Sequence, residues 1–177
     1  PLPFTLGWGI LNDTEARAIH LAFALFLAFA AWPAFKGSPR DRVPLIDWLL
    51  AGLAAFAGAY PTLSYALLAT RPAQPTPMDI AGSVVGLVLL LEATRRAIGW
   101  PMAALAVIFL AYCMAGPWLP DVLSHKGASL NRLMSHMWLT TEGVYGIALG
   151  VSAGTIFVYV LFGSLLDRAG GGNYMMQ

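Results

Sequence analysis

Charge is what this sequence has least of: Asp, Glu, Lys and Arg make up 11% of 177 residues, against roughly 25% in a soluble domain. Beside 58% hydrophobic side chains and a mean hydropathy of +0.68, that scarcity excludes an ordinary water-soluble domain. An excess of either sign is missing as well. Ten Lys+Arg against nine Asp+Glu leave +1, so there is no basic face to hold a nucleic acid and no acidic tail. A single cysteine, Cys113, set in an apolar run, excludes a disulfide framework or a cysteine-rich metal site within one chain. Paired carboxylates, metal-ligand spacings and phosphate-binding loops are absent too, so neither a metal nor a cofactor is expected. The chain opens at Pro1 without Met and stops at Gln177 after a glycine cluster, which reads as a piece of a longer frame.

What is present is a series of long apolar runs. A helix rising about 1.5 Å per residue needs roughly 20 apolar residues to cross a hydrocarbon core of about 30 Å. Five runs qualify. Residues 18–35 lie between Arg17 and Lys36 and follow Asn12, Asp13 and Thr14, any of which can cap a helix. Residues 48–70 carry no formal charge, with Pro61 inside them as a predicted kink. The third starts at Asp79, after a proline-rich turn, and ends at Glu92, Arg95 and Arg96, whose long stems could reach for headgroups. Residues 97–120 have Trp100 and Trp118 near their two ends, as in an aromatic belt. Residues 143–166 are uncharged and closed by Asp167 and Arg168.

A different pattern separates the fourth and fifth runs. Leu130, Leu133, Met134, Met137 and Trp138 fall at i, i+3, i+4, i+7 and i+8, one helical stripe, with Ser129 as its cap. This predicts a short amphipathic helix lying flat in the headgroup layer. The fold class is therefore all-α: a polytopic integral membrane protein with about five transmembrane helices and one interfacial amphipathic helix. Lys36, Arg40 and Arg42 in the first connection, with Arg95 and Arg96 in the third, put both on the cytoplasmic side. The N-terminal piece then starts outside, which needs a translocated N-terminus or a helix upstream of Pro1.

Small residues supply the candidate packing sites. Gly146, Gly150 and Gly154 repeat every four positions, and Gly82 and Gly86 form a shorter copy, faces where another backbone can approach closely. Glu92, Arg95 and Arg96 are membrane-edge charges, with Glu92 and Arg96 at i and i+4 in the favourable order. His20, Cys113 and Glu142 each stand alone in the sequence. Residues 150–154 also spell G-x-S-x-G, the pattern of a hydrolase nucleophile, with Ser152 at its centre. An elbow of that type needs a strand before it and a base in reach, and neither is evident among His20, His125 and His136.

Three stretches carry a family resemblance: ARAIHLAFAL at residues 16–25, LLLEATRRAIGWP at residues 89–101, and LNRLMSHMWLTTEGVYGIALGVSAGTIFVYVLFGSLLDRAGGGNYM at residues 130–175. They resemble the fused permease of tripartite ATP-independent periplasmic (TRAP) transporters, in the 4TM/12TM form that accompanies TAXI-type binding proteins. On that resemblance, residues 1–120 are the small four-helix scaffold component. Residues 121–177 are a linker, the amphipathic helix and the first helix of the large transport component. The family implies a multi-pass secondary transporter of the bacterial inner membrane. It is a symporter importing a small organic solute, typically an organic acid, delivered by a periplasmic solute-binding protein and driven by sodium or protons. Its expected partners are membrane lipid, that binding protein and the rest of the large component. Substrate-binding residues would lie beyond Gln177, and the piece itself would not be an enzyme. Two alternatives from other classes are an intramembrane serine hydrolase using Ser152 and an interaction-only membrane subunit.

Overall fold

A computed structural model describes residues 12–32, 44–64, 75–118, 120, 122 and 124–170. Of these, 81% are helical and none lies in a strand. Five helices are long and apolar enough to cross a membrane: α1 (Asp13–Ala31), α2 (Leu45–Leu63), α3 (Pro77–Ala97), α4 (Trp100–Ala115, extended by a 3-10 turn to Trp118) and, last, Ile147–Arg168. Between α4 and that last helix sits α5 (Leu130–Met134), which continues as a π turn, Ser135–Leu139. The last helix is α6; it too contains a π turn, Ser152–Ile156.

The helix starts follow from local chemistry. At α1 the Asn12 N–H donates to the Glu15 carboxylate at 2.9 Å, answering one of the orphan groups of a first turn. At α3 the Asp79 carboxylate accepts from the Thr76 N–H (2.8 Å) and hydroxyl (2.7 Å), and Pro77 opens the first turn. The α3 to α4 connection is only Ile98 and Gly99, and Gly99 takes a φ of 116°, where a side chain would be strained. Trp100 and Pro101 then begin α4 at once.

One hydrophobic cluster holds the bundle together. It takes Ala18, Leu21, Leu25 and Phe29 from α1, Ala51, Ala54 and Ala57 from α2, and Leu87, Leu89 and Ala93 from α3. It also takes Leu133, Met134, Trp138 and Tyr145, so residues on both sides of position 120 share the same core. Backbones of α1 and α2 approach closely: a Cβ built on Gly58 would stand 3.2 Å from the Ala22 backbone. With little hydrophobic force between helices in lipid, small residues of this kind let backbones approach and gain dispersion contact.

Large apolar side chains also cover the outside, among them Phe23, Leu49, Phe56, Val88, Ile108 and Phe109. Water would not tolerate that surface, whereas a bilayer requires it. Helices of 19 to 22 residues, about 28 to 33 Å long, match the hydrocarbon thickness. The chain is thus a multi-pass, all-α membrane protein. The ends of the first two predicted runs, residues 33–35 and 65–70, lie outside the described residues, as do Pro1, Lys36, Arg40, Arg42, Arg71 and residues 171–177.

Candidate functional site: a wedge seated on the proline of α2

Pro61 leaves α2 with a carbonyl that the helix cannot satisfy. The C=O of residue 57 would accept from the N–H of residue 61, and proline has none. The Trp138 indole takes that place, its Nε1–H donating to Ala57 O at 3.1 Å. The Tyr145 hydroxyl donates to the adjacent carbonyl, Gly58 O, at 2.7 Å. Both rings are buried and meet edge to face, centroids 5.7 Å apart at 83°.

Space for the indole comes from α3. A Cβ on Gly86 would overlap Cζ2 and Cε2 of Trp138. Gly86 lies about 14 Å from the Pro77 end of α3 and about 16 Å from the Ala97 end. The ring therefore reaches the middle of a spanning helix. The stripe of the predicted amphipathic helix is covered by protein: Leu133, Met134 and Trp138 are turned into the bundle, Met137 is half-buried, and only Leu130 remains exposed. The unpaired carbonyl in α2 gives the Trp138 indole a buried partner there.

Irregular backbone at such depth survives only where protein satisfies it. In the turn at residues 140–146, Val144 N–H donates to Met137 O at 2.8 Å and Gly146 N–H to Gly143 O at 3.0 Å. The carbonyls of Tyr145 and Gly146 are taken by Arg17 of α1, whose Nη1 donates to them at 3.0 and 3.2 Å. Its Nη2 is paired with Asp13 one turn earlier. Arg17, which in the sequence marks only the end of a run, is a built-in ligand for this turn. The segment from Leu130 to Gly146 is thus a wedge bonded to α1 and α2 and seated in the cleft beside α3.

Among the described residues the five glycines do not meet another helix backbone along the two faces their spacing predicts. Gly146 precedes α6 as its N-cap, because the Arg17 bonds hold the backbone in a turn there. A Cβ on Gly150 would stand 2.8 Å from the Arg17 guanidinium, so this glycine admits a side chain, not a backbone. Gly154 faces open space. Gly82 makes ordinary contact with the Tyr60 ring, 3.9 Å from the position of a Cβ, and Gly86 receives the indole. The backbone contact falls instead at Gly58, whose Ala54-x-x-x-Gly58 spacing was the signal in the sequence.

Two residues that stand alone in the sequence have partners. His20 Nε2 lies 3.1 Å from Ser152 Oγ, and the His20 ring meets Phe157 at 6.1 Å, edge to face. Glu142 pairs with His136 at 3.6 Å on the surface. Cys113 is half-buried and packs against the core. His125 folds back on α4, its Nε2 3.1 Å from Tyr112 O.

The membrane-edge charges gather where α1, α2, α3 and α4 meet. Glu92 accepts from Arg95 at 2.7 Å and from Arg96 at 2.8 Å. Arg95 also lies over Trp100, 5.2 Å from the ring centre. Arg96 does not reach outward as its long stem allows. It donates to Asp47 at 2.9 Å, with 3% and 5% of the two side chains exposed, and lies over the Phe29 ring at 4.7 Å. Asp47, on another helix, is the partner the sequence concealed. Among the described residues no group of three or more His, Cys, Asp or Glu could hold a metal.

Comparison with protein families, with curated proteins and with solved structures finds no match to this chain.

Proposed function

We propose that this chain is the membrane scaffold and opening helix of a TRAP-type permease, part of a binding-protein-dependent secondary transporter importing a small organic solute on a sodium or proton gradient. The supporting observation is the wedge. It fastens the base of α6 to the bundle through Arg17, Trp138 and Tyr145, while none of α6 is buried in the protein. That is how a fixed four-helix scaffold would hold the start of a larger moving part. The motifs at residues 16–25, 89–101 and 130–175 support the same reading. In it the protein sits in the bacterial inner membrane with the Arg95–Arg96 end toward the cytoplasm, and the periplasmic binding protein docks opposite.

The test is the full reading frame and its neighbours. About ten further spans after residue 177, in two inverted halves with Gly- or Pro-broken segments, beside a gene for a secreted binding protein, support the permease. A frame that ends near residue 177 with no such neighbour overturns it.

A second reading rests on one distance. His20 beside Ser152 supplies the base that a serine nucleophile requires. Against it, Ser152 lies within a helix, not at a strand-to-helix elbow, and no carboxylate orients His20 among the described residues. A fluorophosphonate probe that labels the protein but not Ser152→Ala would favour the hydrolase; absence of labelling in both removes it.

A further inference from the structure

We infer that the Ser152–Ile156 π turn is a hinge in α6, and that the His20–Ser152 hydrogen bond is the latch holding it closed. Below the turn α6 is anchored: Arg17 holds the carbonyls of Tyr145 and Gly146, and Gly150 lies against the same guanidinium. Above it every residue from Phe157 to Gly170 is exposed, and Gly163, like Gly154 within the turn, has nothing within 4 Å of a Cβ position. The segment between them carries i to i+5 bonding, a recognised site of helix bending.

The turn also explains how the latch is assembled. In a regular α-helix, residues five apart point about 140° away from each other. Across a π turn they lie nearly one above the other. Ser152 and Phe157 are five apart, and both meet His20, the serine at 3.1 Å and the phenyl ring at 6.1 Å. The irregular turn therefore rotates Phe157 onto the serine's face, and one α1 side chain grips α6 on both sides of the hinge. Opening needs one hydrogen bond and one ring contact to break, while the base stays bonded to Arg17. Neither the transport reading nor the hydrolase reading is required for this.

Paired nitroxide labels on the full chain in lipid nanodiscs, in a Cys113→Ala background, test it. The upper pair is Leu53→Cys with Tyr159→Cys and the base pair is Leu53→Cys with Ala148→Cys, all exposed positions. Ser152→Ala, or His20→Phe, should raise the displaced population of the upper pair about threefold, the usual worth of an interhelical hydrogen bond in a membrane. The base-pair distribution should not move. Deleting Ala153, which closes the π turn to α, should narrow the upper distribution. The inference is overturned if base and upper pairs broaden together, since α6 then leaves as one rigid rod. It is equally overturned if the upper pair ignores all three changes.

Discussion

If Trp138 serves the carbonyl that Pro61 leaves open, removing the donor should matter less once α2 can satisfy itself. Trp138→Phe keeps an aromatic ring on Gly86 but removes the Nε1–H that reaches Ala57 O at 3.1 Å. A buried acceptor left unpaired costs about 1 to 3 kcal/mol in general, and about 0.6 kcal/mol on average between helices in a bilayer, where the unfolded reference also finds partners. Loss of indole packing adds an amount that is the same in any background. Pro61→Ala restores an N–H four residues after Ala57, so in that background the orphaned carbonyl has a donor within its own helix. The double-mutant cycle should therefore show coupling of about 0.5 to 1.5 kcal/mol, with Trp138→Phe the milder change once Pro61→Ala is already in place. The assay is reversible unfolding in mixed detergent micelles, following helicity as the denaturing detergent is raised. Additivity within about 0.3 kcal/mol would refute the argument, because Trp138 would then be a packing residue indifferent to the proline.

Four further outcomes follow from the same structure. Gly86→Ala should destabilise by about 1 to 3 kcal/mol through overlap with the indole, while Gly154→Ala should be neutral or gain up to about 1 kcal/mol of helix propensity; equal effects in the same unfolding assay would restore the predicted glycine faces. Arg96→Met should cost about 3 to 5 kcal/mol by leaving Asp47 buried and unpaired, and Asp47→Leu added to it should recover part of that loss, read as thermal stability in detergent. Arg17→Met should expose the turn at residues 140–146 to a protease before the helices unfold, because Tyr145 O loses its donor and Gly146 O keeps only the Gly150 N–H; unchanged cleavage would show that water replaces Arg17. Tyr145→Phe should cost about 0.6 kcal/mol, the average worth of a hydrogen bond between helices in a bilayer, by removing the hydroxyl that donates to Gly58 O; unchanged stability in the same unfolding assay would show that the bond contributes nothing.

The sites differ in how far composition and spacing could expose them. The run starting at Asp79 is short of apolar residues, yet α3 forms over Pro77–Ala97 because Thr76 and Asp79 cap one end and the charges at the other pair with each other. Both devices are local and visible in the text of the sequence. Trp138 is different. Its stripe with Leu133 and Met134 is legible, but the stripe says only that one face is apolar, not whether lipid or protein covers it. The stripe also assumes one helical pitch, and the π turn at Ser135–Leu139 breaks it. Likewise, His20 and Ser152 are 132 residues apart in the chain, and no periodicity links them.

By itself the sequence determined that this is a helical membrane protein of five spans, because hydropathy over a bilayer's thickness is a local sum and each α-helix satisfies its own backbone. Folding in three dimensions decided the exceptions to that self-sufficiency: the carbonyl of Ala57, the turn carbonyl of Tyr145 and the carboxylate of Asp47. Each had to find a donor on another element, and those donors, Trp138, Arg17 and Arg96, together with the Tyr145 hydroxyl on Gly58 O, are what bind the helices into one body.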